Sequence, residues 1–393
     1  MTQADEQWMR LALDLAANGL GQVEPNPAVG CVIVKDGQVI GQGWHQRFGG
    51  PHAEIEALAD CRAKGHDPAG ATMYVTLEPC RHTGKTPPCT QAVIGARIRR
   101  VVIAAEDPTP QAGGGIEHLR TAGIEVQVGL CRHQAQTLNA PFFKYARTAM
   151  PWVILKWAQS IDAKLAWKNP PAQGAWISNA KSRQDVHQLR NKVQAILTGI
   201  STVLTDNPHL TVRLEDDGTT ERPPMRVVLD SRLRMPWDCR LISVPDAPTL
   251  VVTTRQAAQT ESEKVQKLAA AGIEVLAVRQ AEQRCDLTDT LAALGQRGVQ
   301  QLLVEAGPTL LSEFLKQNLA DEIRVYIAPL LLAANGSAEL SRPLAKLKTA
   351  CRLKDVHVST FDDDICISAR LAVPNPGPIG DPNIPQEDQD EIG

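Results

Sequence analysis

The chain has 393 residues, 43% of them hydrophobic and 22% charged, the makeup of a globular protein too long for one ordinary core, so two domains are expected. Its net charge of −3 excludes a general nucleic-acid surface, which needs clustered Lys and Arg, but leaves room for a small phosphorylated ligand held by a few local cations. No apolar run nears the roughly 18 to 20 residues of a membrane span, and MTQADEQWMR lacks the build of a signal peptide, so a cytoplasmic enzyme with no membrane partner is expected.

Residues 3–18 set Trp8, Leu11, Ala12, Leu15 and Ala16 at helical spacing, and Asn18-Gly19 closes the run. A stiff turn, Glu24-Pro25-Asn26-Pro27, leads into a buried strand over 29–34, a hairpin turn at 35–38 and a second strand over 39–44. A loop over 45–51 precedes a helix from His52 to about Ala63, and the strand 73–77 delivers Glu78-Pro79-Cys80 at its end. Helices over 90–96 and 116–122 then alternate with strands over 100–105 and 124–128, an α/β layer fold. A break falls near Thr148-Ala149-Met150-Pro151. A second α/β unit follows, with strands from Trp152 and over 195–198, 226–229, 249–253, 274–278, 301–305 and 322–327, and helices over 180–191, 261–271, 287–297 and 308–317. We therefore expect domains over 1–148 and 149–373, then an acidic tail over 374–393 too poor in apolar residues to fold.

Chemistry concentrates in His52-Ala53-Glu54 and in Glu78-Pro79-Cys80 with Cys89. One His and two Cys offer three ligands for a Zn²⁺ that keeps its fourth position for water. Glu54, two residues past His52, is placed to carry a proton from activated water to a leaving amine, the division of labour of zinc deaminases of nucleobases. The usual P-C-x-x-C is stretched here, with eight residues between Cys80 and Cys89. The other seven cysteines (31, 61, 131, 239, 285, 351 and 366) read as small core side chains. Asn26 is either a turn-forming residue or a donor–acceptor for a pyrimidine edge. His82 is open between a fourth ligand, a substrate contact and packing; a water-activating zinc favours the substrate contact. Lys85 suits a phosphate or a carbonyl, or is simply solvated. In the second half no G-x-G-x-x-G or Walker loop occurs. Val304-Glu305-Ala306-Gly307-Pro308-Thr309-Leu310 reads as a strand end turning into a helix whose backbone N–H groups suit an anion, and 197–208 as a polar loop. Arg190 and Arg213 are candidates to clamp a phosphate, or else surface residues.

PNPAVGCVIV (25–34), GWH (43–45), HAE (52–54) and EPCRHTGKTPPC (78–89) resemble the deaminase half of the bifunctional riboflavin-biosynthesis deaminase/reductase family. KWAQSIDAKLA (156–166), WIS (176–178), TVLTDNP-x-LTVR (202–213), LDS (229–231) and VEAGPTL (304–310) resemble its reductase half. The resemblance implies a cytidine-deaminase-like three-layer domain joined to a dihydrofolate-reductase-like domain, with one Zn²⁺ and NADPH as cofactors. It implies deamination of 2,5-diamino-6-(5-phosphoribosylamino)pyrimidin-4-one, a phosphorylated small molecule, followed by reduction of the ribosyl group through its ring-opened imine. On the family's motifs zinc falls to His52, Cys80 and Cys89, proton transfer to Glu54, and deaminase substrate contacts to Asn26, His45, Ala53, His82 and Lys85. NADPH contacts fall to Ala158, Trp176, Thr202, Asp206, Ser231 and Gly307, Pro308, Thr309, Leu310 and Leu311. Reductase substrate contacts fall to Gly174, Arg190, Leu210, Arg213 and Glu305, and a homo-oligomer is expected. Departures from the family pattern are Arg81 and Thr83, the altered stretch 107–115, the K-N-P-P insertion at 168–171, and Ala163 where the family has Gly, a strain of roughly 1 kcal/mol if φ is positive there. The rival readings are a deaminase of another base with a non-catalytic second half, and a zinc-stabilised binding module, in which Glu54 would have no purpose.

Overall fold

The computed structural model describes residues 3–82, 88–109, 112–169, 176–214, 222–345 and 350–372, so Lys85, Gly174 and the tail 374–393 lie outside the described residues. The first sheet contains β1 (Gly30–Lys35), β2 (Gln38–Trp44), β3 (Thr72–Leu77), β4 (Arg100–Ala105) and β5 (Glu125–Val128) in the order β2-β1-β3-β4-β5. β1 is antiparallel to β2 and β3, and β3, β4 and β5 are parallel. Its strands are apolar on both faces because helices cover both. The helices are α1 (Gln3–Ala17), α2 (Ala53–Ala63), α3 (Cys89–Gly95), α4 (Gly115–Thr121), α5 (Arg132–Leu138) and α6 (Ala140–Thr148). Val32, Val34, Tyr74, Val102 and Ala104 meet Met9 and Ala12 of α1, Ala135 of α5 and Phe143 of α6. Their alternates Cys31, Ile33, Met73, Val75, Val101 and Ile103 meet Ala57 and Leu58 of α2, Val93 of α3 and Leu119 of α4. A Cβ on Gly30 would lie 1.9 Å from Ala12 O, so the close seat of α1 on β1 requires glycine there.

The second sheet starts from β6 (Trp152–Ser160), β7 (Ala195–Gly199), β8 (Met225–Leu229), β9 (Thr249–Thr254) and β10 (Glu274–Val278). A small hairpin, β11 (Gln280–Ala281) and β12 (Arg284–Cys285), precedes β13 (Gln301–Glu305), β14 (Glu322–Ala328), β15 (Leu353–Phe361) and β16 (Asp364–Leu371). The order is β10-β9-β8-β7-β13-β6-β14-β16-β15, parallel from β10 through β14 and antiparallel in the closing pair. Helices between these strands are α7 (Ala180–Lys192), α8 (Ile200–Asp206), α9 (Arg240–Ser243), α10 (Arg255–Thr260), α11 (Ser262–Ala270), α12 (Leu287–Gln296) and α13 (Pro308–Lys316). Period-two alternation again divides the core. Ile154, Ile196, Val228, Val251 and Leu303 pack with Leu189 of α7, Val203 of α8 and Leu268 of α11. Leu155, Leu197, Val227, Val252 and Leu302 pack with Leu291 of α12 and Phe314 of α13.

The structure corrects several expectations. Residues 200–206, expected as loop, form α8. Beyond the expected elements, 132–148 forms α5 and α6, and 353–371 forms β15 and β16. Of the seven cysteines read as core, Cys31, Cys61, Cys239, Cys285 and Cys366 are buried, but Cys131 is half-buried and Cys351 exposed. Hydrogen bonds tie the two α/β units together. Lys144 Nζ meets Asp321 Oδ2 at 2.6 Å, Tyr145 Oη donates to Gly295 O at 2.9 Å, and Gln300 Nε2 donates to Pro25 O at 2.8 Å.

Candidate active sites

The first site forms where two connections, β2–α2 and β3–α3, leave the first sheet. His52 caps α2, β3 ends one residue before Glu78-Pro79-Cys80, and Cys89 opens α3. His52 Nδ1 lies 3.6 Å from Cys80 Sγ and 3.2 Å from Cys89 Sγ, and the three ligand atoms all fall within 4.8 Å of one another. A hydrogen bond with Cys89, aided by His52, pushes the Cys80 thiol down to about 4, and a metal-binding sulfur must be a thiolate. One nitrogen from the β2–α2 connection and two sulfurs from the two ends of the β3–α3 connection fit a zinc with one position left open. Glu54 sits beside them, 3% exposed, its carboxyl raised by burial.

His52, Cys80 and Glu54 line a cavity of about 390 Å³ that also includes Asn26, His45, Phe48, His82, Asp107, Thr109 and Phe142. His45 is buried, and its Nδ1 faces Pro51 O at 2.8 Å. A carbonyl only accepts, so Nδ1 carries the proton and Nε2 accepts from Asn26 Nδ2 at 3.1 Å. Burial lowers the His45 pKa and keeps the ring neutral. Asn26 is thus tied to His45, leaving its amide oxygen and one N–H without a partner among the described residues. Ala53 is fully buried against the α2 side of the core, so it offers a ligand its backbone alone. His82 is exposed at the cavity wall rather than within the three-ligand cluster.

Glu78, part of the cysteine motif but expected to carry no role of its own, is an anchor for the neighbouring loop. Its Oε1 accepts from Gly114 N and Ile116 N, both at 2.9 Å, and its Oε2 from Asp107 N at 3.1 Å. One buried carboxylate therefore holds both ends of the altered stretch 107–115. A Cβ on Gly115 would lie 1.9 Å from Pro79 O, so the stretch keeps glycine where it presses on the metal-binding loop.

The second candidate site lies at the carboxyl ends of the parallel strands, where open α/β sheets bind ligands. Thr202 and Asp206 are on α8 after β7, Ser231 follows β8, and Gly307 caps α13 after β13, with Pro308, Thr309, Leu310 and Leu311 opening that helix. Gly307 has no side-chain cap, and nothing lies within 4 Å of where its Cβ would be, an open approach to backbone N–H groups. Buried Thr198 Oγ1 on β7, Asp230 Oδ1 just past β8 and Thr253 Oγ1 on β9 have no hydrogen-bond partner among the described residues. This polar, open edge fits a dinucleotide. Trp176 is 67% exposed with the Arg183 guanidinium 5.2 Å from its ring, while Ala158 packs beside Tyr326. Ser231 Oγ is already engaged, accepting from Cys285 N at 3.0 Å.

The expected phosphate clamp of two arginines is half committed elsewhere. Arg190 Nε and Nη2 donate to Glu305 Oε1 and Oε2 at 2.6 and 3.0 Å, and Arg190 Nη1 donates to Thr211 O at 3.0 Å. Burial would raise the Glu305 carboxyl, but Arg190 and Lys156 carry it well below the usual range. Arg213 is exposed, and its backbone N–H donates to His187 Nδ1 at 3.1 Å. His187, also missed in the sequence, is lowered to about 4 by burial and by the two arginines. Leu210, at φ 51°, is buried in the core, so only its backbone faces outward. Ala163 has φ 60°, the left-handed conformation that its replacement of Gly called into question.

The chain matches the family model of the RibD C-terminal domain over residues 151–367 and that of the cytidine and deoxycytidylate deaminase zinc-binding region over residues 2–105. It is 40% identical to the riboflavin biosynthesis protein RibD of Aquifex aeolicus over 93% of this chain and 98% of that protein. It is 40% identical to that of Escherichia coli over 92% and 98% respectively. The structure is similar to Acinetobacter baumannii RibD, with a TM-score of 0.80 at 38% identity over 94% of this chain and 99% of that one. It is likewise similar to the Thermotoga maritima diaminohydroxyphosphoribosylaminopyrimidine deaminase/5-amino-6-(5-phosphoribosylamino)uracil reductase, with a TM-score of 0.79 at 36% identity over 94% and 99%. A zinc-ligand triad beside a buried Glu, an open reductase-type sheet edge and full-length similarity agree: the chain belongs to the RibD family of bifunctional riboflavin-biosynthesis enzymes, a zinc deaminase joined to an NADPH reductase.

Proposed function

We propose that the chain deaminates 2,5-diamino-6-(5-phosphoribosylamino)pyrimidin-4-one and then reduces the ribosyl group of the product to give 5-amino-6-(5-phosphoribitylamino)uracil. Residues 1–148 carry the first step and 149–373 the second. The observation that carries the reading is the His52, Cys80 and Cys89 donor set with buried Glu54 at the wall of a cavity sized for a base. Zinc, when bound by those three residues, supplies Lewis acidity that lowers the pKa of water toward neutrality. Glu54 accepts the proton of the attacking water and returns it to the amino group as the C–N bond breaks, so ammonia leaves and a carbonyl remains. Its burial, which favours the protonated carboxyl, makes it the stronger base for taking that proton. Asn26, oriented by neutral His45, offers an acceptor and a donor to the ring edge, with the Ala53 backbone, His82 and Lys85 as further substrate contacts.

NADPH, when bound, supplies the hydride for the second step. Ala158, Trp176, Thr202, Asp206, Ser231 and Gly307–Leu311 are the proposed cofactor contacts, and Gly174, Arg190, Leu210, Arg213 and Glu305 the substrate contacts. Because Glu305 occupies the Arg190 fork, phosphate binding falls chiefly to Arg213, with Arg190 fixing the loop through Thr211 O. A homo-oligomer is proposed on the outer edge strand β15, which is exposed along nearly its whole length and presents Val356 at 53% and Val358 at 64% exposure. A cytoplasmic location is supported by nine unpaired cysteines. No helix among the described residues is long and apolar enough to cross a membrane.

The test gives purified protein the diaminopyrimidinone ribosyl phosphate and follows ammonia and NADPH absorbance together, adding NADPH after a delay. Ammonia should appear first, and NADPH loss should follow only on the deaminated compound. Glu54→Gln should keep its zinc, lose at least about 100-fold in ammonia release, and still reduce deaminated substrate. Wild-type ammonia release in that variant refutes the proton-transfer role; neither signal from the zinc-loaded wild type refutes the substrate.

A further inference from the structure

We propose that Gln300, at the entrance to β13 in the reductase half, is a positioning residue for deamination, fixing the turn that presents Asn26 to the substrate. The proposal rests on the reading of Asn26 as a substrate contact. Pro25 and Pro27 flank Asn26 and have no backbone N–H, so the turn has few ways to be anchored. After Asn26, the buried Asn139 brackets Ala28, accepting from Ala28 N and donating to Ala28 O, both at 2.8 Å. Before Asn26, Gln300 Nε2 donates to Pro25 O at 2.8 Å. Gln300 is 4% exposed, and its backbone carbonyl accepts from Trp152 N at 2.7 Å, which fixes the backbone from which the donor extends.

Packing does not duplicate this anchor. Asn26 and Phe142 line the deaminase cavity and also a second cavity of about 160 Å³ in the seam between the two halves, walled by Asn139 and Gln300. A residue with open space on both sides is held by hydrogen bonds: Asn26 N donates to Val23 O at 2.9 Å and its Nδ2 to His45 at 3.1 Å, and the bond on the Pro25 carbonyl comes from the other half of the chain. Two more contacts from that half converge on the same rim. Arg222 Nη1 donates to Glu24 O at 3.0 Å while its guanidinium lies 4.4 Å from the ring of Phe48, a residue of the deaminase cavity wall. Gln301 Nε2 reaches Glu24 Oε1 at 3.4 Å.

The experiment measures both activities of the full chain. Gln300→Met keeps the shape and removes the donor. The deaminase KM should rise about three- to tenfold, the worth of one hydrogen bond, with kcat within about twofold, zinc content unchanged and reductase kinetics on deaminated substrate unchanged. Gln300→Glu, which sets an acceptor against the Pro25 carbonyl, should raise the KM at least as much. Asn26→Ala should raise the deaminase KM, and adding Gln300→Met to it should change little more. A wild-type KM in Gln300→Met beside a raised KM in Asn26→Ala overturns the proposal and leaves the Asn26 reading intact. Equal losses of both activities in Gln300→Met also overturn it, since a general loosening of the seam then explains the effect. No effect of Asn26→Ala overturns the reading of Asn26 itself.

Discussion

Ala163→Gly should stabilise the reductase half. Ala163 stands at φ 60° in the tight loop Ser160–Lys164, and the loop cannot relax around it. Ser160 N donates to Lys164 O at 3.0 Å, Ala163 N to Ser160 O at 2.9 Å, and Lys164 N to Ser160 Oγ at 3.0 Å. Asp162 pins the loop from outside by accepting from Leu332 N at 3.0 Å and Ala333 N at 2.8 Å. A residue with a Cβ pays about 1 to 2 kcal/mol in the left-handed region. Glycine removes that strain but loosens the unfolded chain by about 0.4 to 1 kcal/mol. At mid-range values the difference is a net gain of roughly 0.8 kcal/mol, a rise in Tm of about 2 to 3 °C for a unit of this size. Ala163→Val should fall by more than Ala163→Gly rises, because a β-branched residue is a true outlier at this φ. Scanning calorimetry of the three proteins at neutral pH gives the answer. A glycine variant less stable than the parent, or a valine variant as stable, refutes the strain.

Two further expectations concern the same half. Arg213→Ala should raise the reductase KM for its phosphorylated substrate about tenfold or more, the scale of a charge-assisted hydrogen bond, while the KM for NADPH stays put; an unchanged substrate KM refutes the phosphate contact. His187 is lowered to about 4 from an ordinary value of 6.5, so between those values the unfolded chain binds a proton that the folded chain does not. Its contribution to stability is therefore intact above about 6.5 and lost as pH falls towards about 4, and His187→Gln should flatten that part of a urea-melt series. The same slope in the variant would exclude His187 as its source.

Legibility in the sequence followed burial and covalent spacing. The candidate metal cluster was readable because its spacing is dictated by chemistry: one His and two cysteines suit a metal whatever the surrounding loops do, and His52, Cys80 and Cys89 do come together. The central strands were readable because both faces are covered, which turns 153–155, 195–197, 227–229 and 250–252 into unbroken apolar runs. β15 escaped for the opposite reason: almost all of LKDVHVSTF is exposed, so burial imprints no pattern on it. α8 escaped because S-T-V-L-T-D is rich in poor helix formers, and tertiary packing through Ile200 and Val203 overrides their preference.

What spacing could not supply was which charges would find each other. Arg190 and Glu305 are 115 residues apart, and Gln300 and Pro25 are 275 apart, so no local window joins either pair. For the first pair, electrostatics offers a rule that the motif alone does not. A carboxylate with side-chain exposure of only 12% is costly to bury without a cation. A Glu at the end of a buried strand, as in V-E-A-G, therefore claims a basic partner before any ligand does. Here it claims two, Arg190 through both nitrogens and Lys156 at 3.3 Å. A lone anionic substrate has less to gain from a cation already paired in this way than from Arg213, whose guanidinium makes no ion pair among the described residues. On the proposed reading, the carboxylate thus decides which of the two arginines is left for a phosphate.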